Sequence, residues 1–169
     1  MAKWSFEVGT FTPIAVADAT NFTDGGYMAL QGGSTTQLID ILEVYMGGQA
    51  TVSSPSIMLL AQDLVVGATL TTLVTPNSVG PLHQSSAALA APPVGFIAST
   101  TKPQRTTAIT KPKLNLSFNA FGGVVLWRAA PGEEFTIIGN AASGGEVSLS
   151  AFTGGTPGLM GAHFVFEPK

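Results

Sequence analysis

The chain contains no cysteine, so disulfide staples, iron–sulfur clusters and Cys-ligated zinc are excluded. Charge is scarce too. Asp, Glu, Lys and Arg make up 10% of the 169 residues, where a soluble domain carries about a quarter. A formal net charge of -3 gives no general attraction to nucleic acid or to an anionic membrane. Long apolar runs are also missing. The run 57–61 is stopped by Gln62-Asp63 and the run 64–66 by Gly67, both far short of the roughly 20 residues a spanning helix needs.

What is present is 45% hydrophobic residues on a length that suits one domain with one core. With so little charge to cover it, the surface must consist largely of Ser, Thr, Gly, Ala and exposed apolar atoms. Such a skin suits a component covered by neighbouring subunits better than a free enzyme. The start, Met1-Ala2-Lys3-Trp4-Ser5-Phe6-Glu7, lacks the apolar stretch and cleavage site of a signal peptide, so the mature protein is expected to begin here.

Twenty Gly and eleven Pro are spread along the chain and break it into short pieces, with no apolar stripe at helical spacing over three turns. The expected class is therefore all-β, a single domain over 1–169. Candidate strands are 4–12, 26–31, 37–46, 56–63, 94–99, 114–119, 123–128, 134–139, 145–152 and 162–167. Trp4, Phe6 and Val8 alternate with Ser5, Glu7 and Gly9; Phe164 and Phe166 share a face opposite His163, Val165 and Glu167. The last strand is thus expected to be packed into the core. In the segment 38–45, Asp40 and Glu43 are three apart, as on a helix face. The β-branched and aromatic content favours a strand, with a bulge turning both carboxylates outward and Gly47-Gly48 closing the run as a turn.

Residues 64–93 read as a long excursion, mostly loop, in which 85–91 forms at most one or two helical turns. Loops this long usually serve binding or subunit contact. About ten short strands with Gly-rich corners point to a jelly roll or related antiparallel β-sandwich; an open immunoglobulin-like sandwich is the alternative.

No catalytic, cofactor or metal constellation emerges. His83 and His163 lie far apart without partners at ligand spacing, and no Gly-x-Ser-x-Gly elbow supports a hydrolytic triad. Glu133-Glu134 follows Pro131-Gly132 and reads as the polar end of a turn. The glycine doublets lack the Gly-Lys-Ser/Thr ending of a phosphate loop and are expected at hairpin corners. Asp24-Gly25-Gly26 and Asn140 lack the Asp-x-Asp-x-Asp pattern of a calcium loop.

Four of the seven basic residues, Lys102, Arg105, Lys111 and Lys113, fall within a Pro/Thr-rich arm at 100–113 that holds no acid. It is either a solvated loop or a contact arm for an acidic neighbour. Nucleic-acid binding is disfavoured because no aromatic is interleaved for stacking. In 124–128, Trp127 shares a face with Val125, while Val124 and Leu126 share the other. One face must be core; either the second is a subunit interface, for which Trp127 and Arg128 are candidate anchors, or the strand is buried between two sheets. A glycan platform on Trp127 or Tyr27 is the alternative, though it would want more exposed aromatics.

Several phrases together carry a resemblance: Leu30-Gln31-Gly32-Gly33-Ser34 running into Ile41-Leu42-Glu43-Val44-Tyr45-Met46-Gly47-Gly48-Gln49-Ala50; Ala90-Ala91-Pro92-Pro93-Val94 before Thr100-Thr101-Lys102-Pro103-Gln104-Arg105; Leu116-Ser117-Phe118-Asn119-Ala120-Phe121-Gly122-Gly123; and Gly145-Glu146-Val147-Ser148-Leu149-Ser150-Ala151. The chain resembles small β-rich structural proteins of tailed bacteriophages and prophages, of the kind that decorate or cement a head. The resemblance implies a cofactor-free β domain made in the bacterial cytoplasm and carried on the capsid exterior. It implies a symmetric homo-oligomer, a trimer by preference, bridging copies of the major capsid protein without nucleic acid or membrane. A small jelly-roll capsid, tail or fibre subunit, or a carbohydrate-binding host-recognition module, are the alternatives.

Overall fold

The computed structural model describes residues 2–11, 28–53, 55–63, 71–72, 79–97, 111–139, 145–151 and 159–169. Among them all regular structure is strand: β1 (Trp4–Phe11), β2 (Met28–Gln31), β3 (Leu38–Gly48), β4 (Pro55–Asp63), β5 (Thr71–Thr72), β6 (Val79–Pro81), β7 (Val94–Ile97), β8 (Lys111–Asn119), β9 (Val124–Arg128), β10 (Phe135–Ile138), β11 (Glu146–Ala151) and β12 (Met160–Pro168). They form two antiparallel six-stranded sheets. The first runs β10-β3-β12-β1-β6 with β9 also on β3; the second runs β5-β7-β2-β11-β4-β8. Leaving aside β5, β6 and β7, the pairing is nested. The first strand pairs with the last, β2 with β11, β3 with both β9 and β10, and β4 with β8.

The alternating pattern decides which way each strand faces. Trp4, Phe6 and Val8 are buried while Glu7 is exposed, and Phe6 lies opposite Phe164 with ring centroids 6.3 Å apart, edge to face. One buried apolar cluster draws on both sheets, including Phe6, Ile41, Val44 and Phe164 from the first and Leu30, Met58, Leu60 and Leu149 from the second. Each such side chain contributes about 1.5–3 kcal/mol on burial. Gly95 on β7 has no room for a side chain, since a Cβ there would meet the Phe6 ring at 2.4 Å. β12 is central, held between β1 and β3, and Lys169 exchanges backbone hydrogen bonds with Leu38.

β3 is a strand and carries the expected bulge. Val165 pairs with Glu43 and Phe166 with Ile41, so Leu42 is the extra residue. Its carbonyl instead accepts from Ala129 N at 2.8 Å, at the point where β10 gives way to β9. Ile39, Ile41, Val44 and Met46 stay in the core, and Asp40, Glu43 and Tyr45 lie outside that cluster, but Asp40 does not reach solvent as expected: it is buried under Lys169 and Thr136.

Several expectations need correction. The excursion 64–93 contributes strands: β6 extends the first sheet beside β1, and β5 lies at the edge of the second sheet beside β7. The stretch 85–91 makes bends and a turn, not helix. Ser86 N donates to His83 O, and the Ser85 hydroxyl lies 2.7 Å from His83 Nδ1, so local side-chain bonds compete with helical ones. Gly47-Gly48 lies within β3 and is not a corner; Gly48 lets Ala120 approach to where a Cβ would be 2.6 Å from its Cα. β8 begins at Lys111, inside the stretch expected to be an arm. Glu133 does end a turn, donating its backbone N–H to Ala130 O at 2.9 Å.

Candidate contact surface

β9 resolves which of its two apolar faces is core. Val125 and Trp127 are half-buried and pack against the central cluster. Trp127 lies flat on Phe135 of β10, with ring centroids 4.4 Å apart, and Lys113 Nζ sits 5.9 Å from the Phe135 ring centre. The stack spans the side of the molecule, since Lys113 belongs to the second sheet. Trp127 is thus a packing residue at the core's edge. The exposed face of β9 carries Val124, Leu126 and Arg128, with Val124 70% and Leu126 47% accessible.

These residues continue across the outer face of the first sheet in register. Leu126 stands opposite Tyr45, Tyr45 opposite His163, and His163 opposite Glu7. In the neighbouring row Val124 faces Gly47, which faces Gly161. The two glycines leave a depression between bulkier neighbours, a shallow groove of about 570 Å³ bounded by Tyr45, Val124, Leu159 and His163. Leu159, at its rim, is itself 45% exposed.

A polar array flanks the apolar row. The Tyr45 hydroxyl donates to Glu43, and Arg128 Nε lies 2.9 Å from the other carboxylate oxygen. The Tyr45 hydrogen bond holds Glu43 below its ordinary pKa, Arg128 assists, and burial opposes them. His163 packs edge-on against Tyr45 with its Nδ1 4.0 Å from Glu7, and its shielded Nε2 has no hydrogen-bond partner among the described residues. Before the bulge, near the start of β3, Asp40 accepts from the Thr136 hydroxyl at 2.6 Å and pairs with Lys169. Burial would raise the Asp40 pKa, but the hydrogen bonds from Lys169 and Thr136 and the Lys169 charge outweigh it, leaving it lowered.

No protein-family model, curated protein or solved structure matches this chain.

Of the contact residues expected from sequence, Arg128 is on this outer face, tied to Glu43. Lys113 and Trp127 come together instead around Phe135. Lys111 opens β8, opposite Gln62. Lys102 and Arg105 lie outside the described residues, as do Tyr27, Asn140 and the 24–26 loop. Tyr45, His163 and Leu159 were not singled out as contacts. Only the pairing of β3 with β9 and β12 makes them neighbours, and strand pairing is not written in local sequence. Among the described residues no group of three or more His, Asp or Glu is close enough to hold a metal ion.

Proposed function

We propose that this chain is a non-enzymatic virion structural protein, a decoration or cement protein on the capsid exterior that bridges neighbouring capsid subunits. The observation that carries the reading is the solvent-facing apolar row of the first sheet. Val124 and Leu126 are exposed on a strand whose other face is already committed to the core; Val124 joins Tyr45 and Leu159 around the glycine-floored groove, and Leu126 stands beside it opposite Tyr45. Exposed apolar groups gathered on one sheet face mark an interaction site. The sparse charge of the whole chain fits a surface meant to be covered.

The nested pairing supports a jelly roll. A long antiparallel ribbon, with first strand on last and second on next-to-last, wraps into two facing sheets in this order, an architecture used by capsid and lectin domains alike. Fold alone does not select the function. What counts against a glycan platform on Trp127 is that Phe135 already covers one of its two ring faces and the residue is half-buried. In this reading the partners are the major capsid protein and further copies of the chain itself, assembled in the bacterial cytoplasm. Each copy adds modest contacts that sum over the lattice by multivalency.

Copy number in purified particles, by quantitative mass spectrometry and imaging, tests this. Many copies following the capsid lattice are expected. Absence from particles would overturn it, and a few copies at one vertex or along a tail would assign the chain to the tail or fibre.

A further inference from the structure

The second sheet ends in a long strand, β8, that pairs with β4 on one side and with no described strand on the other. Among the described residues nothing occupies its outer edge, where a row of backbone donors and acceptors is best satisfied by another extended strand. The edge is protected along one part only. Lys111, Pro112 and Lys113 bring charge and a missing N–H, and Lys113 is bulged, since Leu114 pairs with Leu60 and Pro112 with Ala61. These are the devices that blunt an edge against pairing. The remaining stretch, Leu114-Asn115-Leu116-Ser117-Phe118-Asn119, has none of them.

That stretch alternates cleanly. Leu114 and Leu116 are half-buried and Phe118 is buried against the core, while Asn115 and Ser117 are exposed on the other face. Read in either direction about Leu116, it gives the same pattern of apolar inside and small polar outside. Two antiparallel copies centred there would set Asn115 against Ser117, Leu114 against Phe118 and Leu116 against itself. Lys113 would meet Asn119. A parallel pairing would instead stack Lys113 on Lys113, and β8 carries no acid to relieve it.

Exposed apolar groups gather where the edge is open. Ile57 pairs with Ser117; Val52 adjoins Ser53, whose hydroxyl accepts from Asn119 at 2.9 Å; Phe121 donates its backbone N–H to Asn119. Ile57 and Val124 line a second groove of about 560 Å³ along this side. Val52 is 69% and Phe121 58% exposed. A strand pair alone buries too little for a stable interface, which needs roughly 1,000 Å² or more, and these side chains supply additional apolar area.

We infer that the outer edge of β8 is a self-association site, where two copies pair antiparallel and the second sheet of one continues into that of the other. A second copy is the occupant that fits because the stretch is its own antiparallel complement about Leu116, and a two-fold contact satisfies the edges of both copies at once and closes. This goes beyond the capsid reading and does not depend on it. It favours a two-fold contact where the resemblance implies a three-fold one.

Mass-resolved light scattering on the purified chain tests it, with the variant pairs Asn115→Lys/Ser117→Lys and Asn115→Asp/Ser117→Asp. Both positions are exposed, and circular dichroism and thermal melting check that each variant folds. The wild type is expected at twice the 17.3 kDa chain mass, each charged variant at the single-chain mass, and an equimolar mixture of the two variants back at twice. A wild-type monomer, a trimer whose mass the variants leave unchanged, or a mixture that does not re-associate would overturn the proposal. Should either variant misfold, amide exchange on the wild type decides it. Protection in 114–118 that is lost on dilution supports the pairing, and protection independent of concentration contradicts it.

Discussion

Trp127 lies parallel to Phe135, ring centroids 4.4 Å apart and planes within 3°, so that two strands meeting β3 end to end are fastened by one aromatic stack. Both rings pack on the core while half-exposed. Truncating Trp127 to Ala is expected to cost about 2–3 kcal/mol, toward the low end for a large aromatic because burial is partial. Urea unfolding measures it; a stability unchanged from wild type would mean that the stack contributes nothing.

Gly47 and Gly48 are adjacent yet should respond in opposite ways. A Cβ on Gly48 would lie 2.6 Å from the Ala120 backbone, while one on Gly47 has nothing closer than Val124 Cγ2 at 3.9 Å. Gly48→Ala is expected to destabilise by about 1–3 kcal/mol through overpacking. Gly47→Ala should stay within about 0.5 kcal/mol, as surface changes do, while raising the floor of the groove. Equal losses at the two sites in thermal or urea melts would contradict this packing.

Acid should loosen β3 on both sides of its bulge. Asp40 and Glu43 have pKa values lowered in the folded protein, so each contributes stability that is fully present above the unfolded carboxylate pKa. That contribution declines as pH drops below the ordinary carboxylate range and is lost as pH falls through the lowered folded values. The doubly neutral variant Asp40→Asn/Glu43→Gln is therefore expected to show a flatter acid limb in a series of melts from pH 7 downward. It should also be less stable than wild type at neutral pH. An acid limb as steep as the wild type's would assign the acid sensitivity to other carboxylates.

Much of the strand content was legible because alternation is a local property. Trp4-Phe6-Val8 and Phe164-Phe166 announce their buried faces, and the β-branched content of 38–45 identifies β3 against the helical spacing of Asp40 and Glu43. The short strands β5 and β6 were not legible. Thr71-Thr72 and Val79-Gly80-Pro81 have no apolar alternation, and they are strands because β7 and β1 offer them edges. The contact face was half legible. Sequence exposed the conflict in Val124-Val125-Leu126-Trp127, two apolar faces on one strand, but weighted Trp127 as the anchor because large aromatics favour interfaces. The stack on Phe135 turns that side inward and leaves Val124 and Leu126 outside, beside a tyrosine and a histidine that only strand register brings near.

The most direct test of the proposed capsid role is reconstitution on phage heads prepared without this protein. Wild-type chain added to such heads is expected to co-sediment with them and to raise the temperature at which they release DNA. The variant Val124→Asp/Leu126→Asp should melt within a few degrees of wild type yet bind at least about tenfold more weakly, the loss typical of removing a central apolar anchor. Wild-type protein that neither binds nor stabilises the heads, or a charged variant that binds as well as wild type, would contradict the assignment of this face to the capsid.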